Sequence, residues 1–372
     1  MYPIRILQVV TIMNRGGLET MLMNYYRKMN RKKIQFDFMV HRDEEGHYDK
    51  EILELGGKIY KMPQIRPGNY RLYFGKLDKF FANHSEYKVV HSHINENSSF
   101  VLRAAKKAGI PERIAHSHLS DLQIDYKLPF RLYARYYLKN NSSRFFACSK
   151  NAGQWLFGTK IANSKDMLVL NNAVNTEEFI STDKVRNKTK EELGLQNKLV
   201  IGHVGRFNKQ KNHSFLIDIF KSVHDKNKNA VLVLVGDGDL RKIIEKKVSN
   251  LGLTSSVKFL GIRSDIPKLM QAMDIFLFPS LFEGLPVVLV EAQAAGLKCI
   301  VSNTITRESD ITGRIDFLSL KQSAKEWADQ IFLSKFERED TKEKIRESGY
   351  DSITNAKWLS EYYSNYYEFA SN

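Results

Sequence analysis

The sequence predicts an α/β protein of two Rossmann-like domains whose parallel sheets face one another across a cleft. Three observations carry that expectation. Short apolar runs alternate with longer amphipathic stretches, the pattern of strands joined by helical crossovers. The alternation pauses at a polar stretch, "STDKVRNKTKEELGLQNK" (181–198), and starts afresh at "LVIGHVGR" (199–206). The 372 residues, 42% hydrophobic with only eight prolines, are enough for two separate cores. The expected limits are 1–185 for the first domain and 196–345 for the second, with 346–372 a C-terminal helix packing back on the first.

In the first series the strand candidates are "IRILQVV", "FDFMV", "VVHSHI", "RIAHSH", "RFFACS" and "MLVLNN", with helices over 18–29 and 98–108. In the second they are "LVIGHVGR", "AVLVLVGDG", "VKFLG", "DIFLFPS" and "KCIVS". Runs this short and this apolar suit buried parallel strands. After "DIFLFPS", Pro286 suits a first helical position and Gly296 the stop just past the end. The tail "WLSEYYSNYYEFASN" repeats Trp358, Leu359, Tyr362, Tyr363, Tyr366 and Phe369 at helical spacing, a face for packing on a domain.

Two cysteines, Cys148 and Cys299, sit in apolar strand contexts and read as buried free thiols, without a disulfide framework or metal spacing. "MYPIRILQVV" reads as a strand after a short lead-in rather than a signal peptide. No run approaches the roughly 18–20 apolar residues that span a bilayer, so a soluble or peripheral protein is expected. The net charge of +15 is uneven: residues 1–180 hold 28 Lys+Arg against 17 Asp+Glu, and the rest 29 against 25. An excess of +11 in the first half suggests an acidic surface partner there, or else a generally basic, solvated surface. Within it, "YKLPFRLYARYYLKN" (126–140) spaces Lys127, Arg131, Arg135 and Lys139 every four residues, flanked by Phe130, Leu132, Tyr133, Tyr136, Tyr137 and Leu138. As a helix this forms a basic stripe edged by aromatics, the pattern of an interfacial helix on anionic lipid. The competing reading is an ordinary helix whose aromatics fill a core. Nucleic acid is not expected as a partner, since no recognition motif accompanies the charge.

Several motifs can carry chemistry. "NRGGLET" follows the first strand and opens a helix, where Gly16 and Gly17 let backbone approach an anion, or simply make a tight turn. In "GHVGRFNKQKN", Arg206 and Lys211 stand five apart after a strand, a spacing that suits a diphosphate or a pair of surface ion pairs. "LVGDGD" reads as turn chemistry with Asp239 capping the next helix, rather than as a metal site. "FPSLFEGLPVVLVEAQAAG" (278–296) places Glu283 on a loop at the end of a strand and Glu291 on the second turn of the following helix. In open α/β sheets that edge is where ligands bind. Gly284 permits close approach, the helix start offers N–H groups at Val287 and Val288, and Glu291 suits a pair of ribose hydroxyls. The pairs "HSH" at 91–93 and 116–118 put two histidines on one face of each strand. Without Asp, Glu or Cys at a zinc spacing they read as a hydrogen-bond donor site rather than a metal site.

Together these residues resemble the family 4 retaining glycosyltransferases, which have the GT-B fold. The resemblance rests on Gly16, Gly17 and Glu19, on Gly205, Arg206 and Lys211, on "NNAVNTEEF", and on the glutamates eight apart, Glu283 and Glu291. It implies that Arg206 and Lys211 bind the donor diphosphate, that Glu291 binds the nucleotide ribose, and that Glu283 contacts the donor sugar. It implies further that backbone from Gly284 through Leu285, Val287 and Val288 holds the distal phosphate and sugar, and that Gly16 and Gly17 approach phosphate and acceptor. His116 matches a histidine near the transferred sugar, with His118 the weaker candidate. The N-terminal domain would bind the acceptor and the C-terminal domain the nucleotide sugar. Asn172-Ala173-Val174-Asn175 differs from the family's Asn-Gly-Val-Asp. The implied reaction moves a hexosyl unit from a UDP-sugar to a lipid-linked or growing polysaccharide, with retention and without metal or cofactor, in capsule or exopolysaccharide synthesis. A polyprenyl-diphosphate-linked acceptor would place the protein at the inner, cytoplasmic face of the membrane. A sugar-nucleotide epimerase or hydrolase on the same fold is the rival reading, and a basic nucleic-acid-binding protein the more distant one.

Overall fold

The computed structural model describes residues 3–66, 68–118 and 128–371, the last four of these by backbone alone. The chain divides into two compact units, one of residues 1–173 with 352–372 and the other of residues 174–351.

The first unit is built on seven strands: β1 (Ile4–Val10), β2 (Ile34–Val40), β3 (Ile59–Lys61), β4 (Val89–Ser92), β5 (Glu112–Ser117), β6 (Arg144–Ala147) and β7 (Met167–Val169). All pair in parallel, in the order β3-β2-β1-β4-β5-β6-β7. Alternation along each strand sends successive side chains to opposite faces. Leu7, Val9, Val90, Ala115 and Ala147 join one core, and Ile6, Val10, Val89, Ile114 and Phe146 the other. The second core is closed by the C-terminal helix Ser352–Ser371, whose Leu359 and Tyr363 are fully buried in it while Trp358 stays 40% exposed. The side chain of Phe369 lies outside the described residues.

The second unit has six parallel strands: β8 (Leu199–Val204), β9 (Ala230–Val235), β10 (Val257–Phe259), β11 (Ile275–Phe278), β12 (Lys298–Ser302) and β13 (Ile315–Leu318). Their order is β10-β9-β8-β11-β12-β13. Val200, Val233, Phe276 and Val301 face one core, and Ile201, Leu232, Leu277 and Ile300 the other.

Three departures from the sequence reading have physical causes. β3 and β13 escaped it because edge strands of three or four half-exposed residues lack the continuous apolar run of a central strand. The polar stretch 181–198 does not separate the units. It holds a helix, Asp183–Glu192, capped by the Thr182 hydroxyl and packed on the helix Ile266–Ala272 of the second unit. Arg186 and Lys190 anchor it to the buried Asp274 at 2.6 and 3.1 Å, so the division between units falls at residue 174 rather than 185. Pro286 caps its helix rather than opening it: the helix runs Val287–Ala294. Gly296 lies just past that end with φ +68°, and a Cβ there would meet Glu339 O at 2.3 Å. Both cysteines are buried free thiols. Among the described residues no helix is long and apolar enough to cross a membrane.

Candidate active site

In each sheet the strand order reverses once. β1 is flanked by β2 and β4, and β8 by β9 and β11, so a crevice opens beyond the carboxyl ends of each pair. Most residues singled out in the sequence fall at these two points, and His116 and His118 at the carboxyl end of β5, the next strand along from β4.

In the second unit the loops after β8 and β11 are joined. Leu281 N–H donates to Gln210 O (2.8 Å), Gln210 Nε2 to Phe282 O (3.0 Å), and Asn212 Nδ2 to Pro279 O (3.1 Å). Asn208 Oδ1 accepts from the backbone N–H of Lys211 and shapes the turn. As a result Lys211 Nζ lies 2.6 Å from Glu283 Oε1, with both side chains largely buried and the ammonium 4.5 Å from the centre of the Phe278 ring. A Cβ on Gly205 would stand 3.1 Å from His203 Nε2 and 3.2 Å from the Lys211 stem, so the loop backbone passes close to that side chain. Arg206 behaves differently. It is 69% exposed and 3.8 Å from Asp239. Asp239 therefore does not cap the next helix, whose cap position is Leu240. The "GDG" turn instead buttresses the Arg206 loop: Phe207 N–H donates to Asp237 O (3.0 Å), and a Cβ on Gly236 would stand 2.2 Å from Gly205 O.

Beyond Glu283, Gly284 is exposed, Leu285, Val287 and Val288 are half-buried, and the first-turn N–H groups of Val287 and Val288 lie at the helix start. Glu291 is half-buried on the second turn. Burial, reinforced by the nearby charge of Glu178, pushes its carboxyl up to about 7. Glu178 belongs to the "NNAVNTEEF" segment and accepts from Asn175 Nδ2. The sequence reading missed this second carboxylate, and missed Asn208 and Phe278. Only Glu178 left a signal, because it lies within a motif already recognised.

In the first unit Gly16 precedes the helix Gly17–Lys28, and a Cβ on Gly16 would stand 2.3 Å from Glu19 Oε2. Burial pushes the Glu19 carboxyl up to about 7. At the carboxyl ends of β4 and β5 stand His91 and His116, within the strands, and His93 and His118, just past them, linked by hydrogen bonds at 3.0 Å (His91 to His116) and 2.9 Å (His93 to His118). Ring nitrogens of His91, His93 and His116 come within 4.8 Å of one another, close enough to consider a metal ion. The His91 ring, however, stacks on His93 at 25° and on His116 at 18°. Five of the six ring nitrogens of these three residues are already hydrogen-bonded, to Tyr363, Gln8, His118 or one another, and among the described residues no carboxylate or thiolate joins them. These residues do not fit a tetrahedral metal centre.

Known proteins agree with this architecture. Residues 15–178 match the family described as Glycosyltransferase Family 4, and residues 185–351 match Glycosyl transferases group 1. EpsF of Bacillus subtilis, a glycosyltransferase by name, is 37% identical over 97% of this chain and 96% of its own. The UDP-Gal:alpha-D-GlcNAc-diphosphoundecaprenol alpha-1,3-galactosyltransferase of Escherichia coli is 28% identical over 59% of this chain and 58% of its own. Among solved structures, Anabaena Alr3699/HepE in complex with UDP-glucose superposes with a TM-score of 0.76 at 21% identity, covering 97% of this chain and 99% of that one. Two parallel sheets, each with its polar cluster at the reversal of strand order, are the GT-B arrangement, and the chain belongs to the family 4 and group 1 glycosyltransferases.

Proposed function

We propose that this glycosyltransferase moves a hexosyl unit from a UDP-sugar to a polyprenyl-diphosphate-linked or growing glycan in capsule or exopolysaccharide synthesis, with retention of configuration. The observation that carries the reading is the cluster beside β8 and β11: an exposed Arg206, a buried Lys211–Glu283 pair, a helix start at Val287 and a carboxylate one turn further on at Glu291. Cations and a helix N-terminus suit a diphosphate, and a carboxylate suits the diol of a ribose. Arg206 and Lys211 then stabilise charge on the departing diphosphate, which removes the need for a metal ion. Glu283 meets the donor sugar while holding Lys211, and backbone from Gly205 and from Gly284 to Val288 takes the phosphates. Without a carboxylate nucleophile assigned, the leaving phosphate takes the acceptor proton in a front-face displacement. In the first unit, Gly16 and Gly17 serve the acceptor side and His116 the transferred sugar. The bound UDP-glucose of HepE and the diphosphoundecaprenol acceptor named for the Escherichia coli relative support these choices of substrate.

The acceptor implies a membrane surface, and the helix Leu128–Asn141 supplies one contact. Leu132, Tyr133, Tyr136 and Tyr137 are 41–72% exposed on it, while Ala134 and Leu138 face the core. The basic stripe is less free than its spacing implied. Arg135 donates to the carbonyls of Trp155 and Leu156 and stacks over the Trp155 ring, and Lys127 lies outside the described residues. The aromatic face, with Lys139 beside it and the +11 excess of its half of the chain, is therefore the part that meets anionic lipid. Transfer from labelled UDP-sugars to a polyprenyl-diphosphate glycan, with the anomeric configuration read by NMR, tests the whole reading. Hydrolysis without transfer, an inverted product, or activity lost to chelator and restored by manganese would each overturn the corresponding part.

A further inference from the structure

Four histidines of the first unit, His91, His93, His116 and His118, form two hydrogen-bonded chains that begin at a single amide. Gln8, on β1, is fully buried. Its Nε2 donates to Tyr363 Oη (3.3 Å), and its Oε1 accepts from His93 Nε2 (2.8 Å). Tyr363, on the C-terminal helix, lies 2.7 Å from His91 Nδ1, and His91 Nε2 lies 3.0 Å from His116 Nδ1. On the other branch, His93 Nδ1 lies 2.9 Å from His118 Nε2. Each chain ends at a buried ring nitrogen that has no hydrogen-bond partner among the described residues, His116 Nε2 on one and His118 Nδ1 on the other.

Burial keeps all four rings neutral, drawing His91, His93 and His116 well below the ordinary range and His118 down to about 3. A neutral imidazole has one N–H and one lone pair, and a hydroxyl that accepts on one side can donate on the other. Polarity therefore passes unchanged along each chain. An amide is a donor at one end and an acceptor at the other, so the two chain ends must differ. With Gln8 as it stands, all four rings carry their proton on Nε2. His116 Nε2 then offers an N–H and His118 Nδ1 a lone pair. Turning the amide over would shift all four protons to Nδ1 and exchange the two roles together.

We propose that Gln8 and Tyr363 are positioning residues that set His116 Nε2 and His118 Nδ1 as a donor–acceptor pair for one hydroxyl of the glycosyl ligand. The inference rests on the reading of His116 as a sugar-facing residue. The two ring centroids lie 4.0 Å apart, and a hydroxyl both accepts and donates, so a single group has the polarity that both nitrogens call for. An ether oxygen answers only the donor.

The test uses the full-length protein labelled with 15N-histidine, in which long-range N–H correlation spectra report each tautomer. Single His→Gln variants assign the signals. All four rings should share one tautomer. Tyr363→Phe keeps the ring and should release His91 and His116 into a tautomer mixture while His93 and His118 stay fixed. Mixed tautomers in the wild type, or equal disturbance of all four rings by Tyr363→Phe, would overturn the relay. In the transfer assay Tyr363→Phe should lower kcat/KM about tenfold, the size of one hydrogen bond, and leave UDP affinity unchanged. An unchanged kcat/KM alongside the expected tautomers would remove the positioning role. A wild type that transfers no sugar would refute the functional reading, and the positioning role with it, while the spectra still decide the relay.

Discussion

The two sheets gather polar groups at the carboxyl ends of neighbouring strands by opposite means. At the carboxyl ends of β4 and β5 the edge is neutral: four imidazoles chained by hydrogen bonds, His91, His93 and His116 among them fully buried. Beyond β8 and β11 it is charged, with Arg206 in solvent and Lys211 held in a largely buried pair with Glu283. The difference follows from partners. Buried rings without a counter-ion shed their protons, whereas Lys211 lies 2.6 Å from the carboxylate of Glu283. Neutral groups of fixed polarity suit hydroxyls, and charges suit a diphosphate.

The sharpest way to probe the charged edge is Lys211→Ala. It leaves Glu283 buried without its partner, which costs about 3 kcal/mol, and it should also lower turnover by roughly 10²–10³. Chemical denaturation should show most of the stability regained when Glu283→Ala is added, with no recovery of turnover. Arg206→Ala is the contrast. Being exposed, it should change stability by less than about 0.5 kcal/mol while lowering turnover comparably. Turnover unaffected by Arg206→Ala would break the diphosphate assignment.

Next in size, Glu291→Ala should weaken UDP binding by about 1.5–3 kcal/mol in calorimetry, the worth of a charge-assisted hydrogen bond. A folded variant with wild-type affinity would remove the ribose role. The raised Glu291 carboxyl gives a smaller, signed effect. Its ionised form accepts from the diol, and with a carboxyl at about 7 that form is depleted as pH falls. UDP affinity should therefore drop through the range from pH 8 to 6, by up to about tenfold one unit below the carboxyl value. Glu291→Gln should lack that component, and comparing the two cancels the titration of UDP itself. A difference appearing only near pH 4.5 would mean the carboxyl is unshifted. Smallest is the lipid contact. Lys139→Glu should weaken binding to anionic liposomes by about 1 kcal/mol without altering UDP affinity. Equal co-sedimentation with wild type would reject the helix as an anchor, and Arg135 is left intact because it holds the helix to the Trp155 segment.

The central strands were legible because a parallel strand buried on both faces must be a short apolar run, as "AVLVLV" and "IFLF" are. So were Glu283 and Glu291, since a strand, a Gly-Pro turn and a helix fix where each can lie. What sequence spacing could not convey is pairing. Lys211 and Glu283 are 72 positions apart, and only the register of β8 against β11 brings them together. The same holds for Gln8 and Tyr363, at opposite ends of the chain. Arg135 shows the converse: helical spacing counted it on a free stripe, and tertiary hydrogen bonds claimed it.

The C-terminal helix carries a consequence for synthesis. One face of the first sheet needs Leu359 and Tyr363 to be covered, yet residues 174–351 are made in between. At 5–20 residues per second the ribosome takes roughly 9–36 s over that interval. During that time Ile6, Phe36 and Phe146 wait with one side uncovered while the second unit is already free to fold. The nascent chain should therefore hold a window in which a chaperone binds the first unit, and a stop codon introduced at Ser352 should make that window permanent.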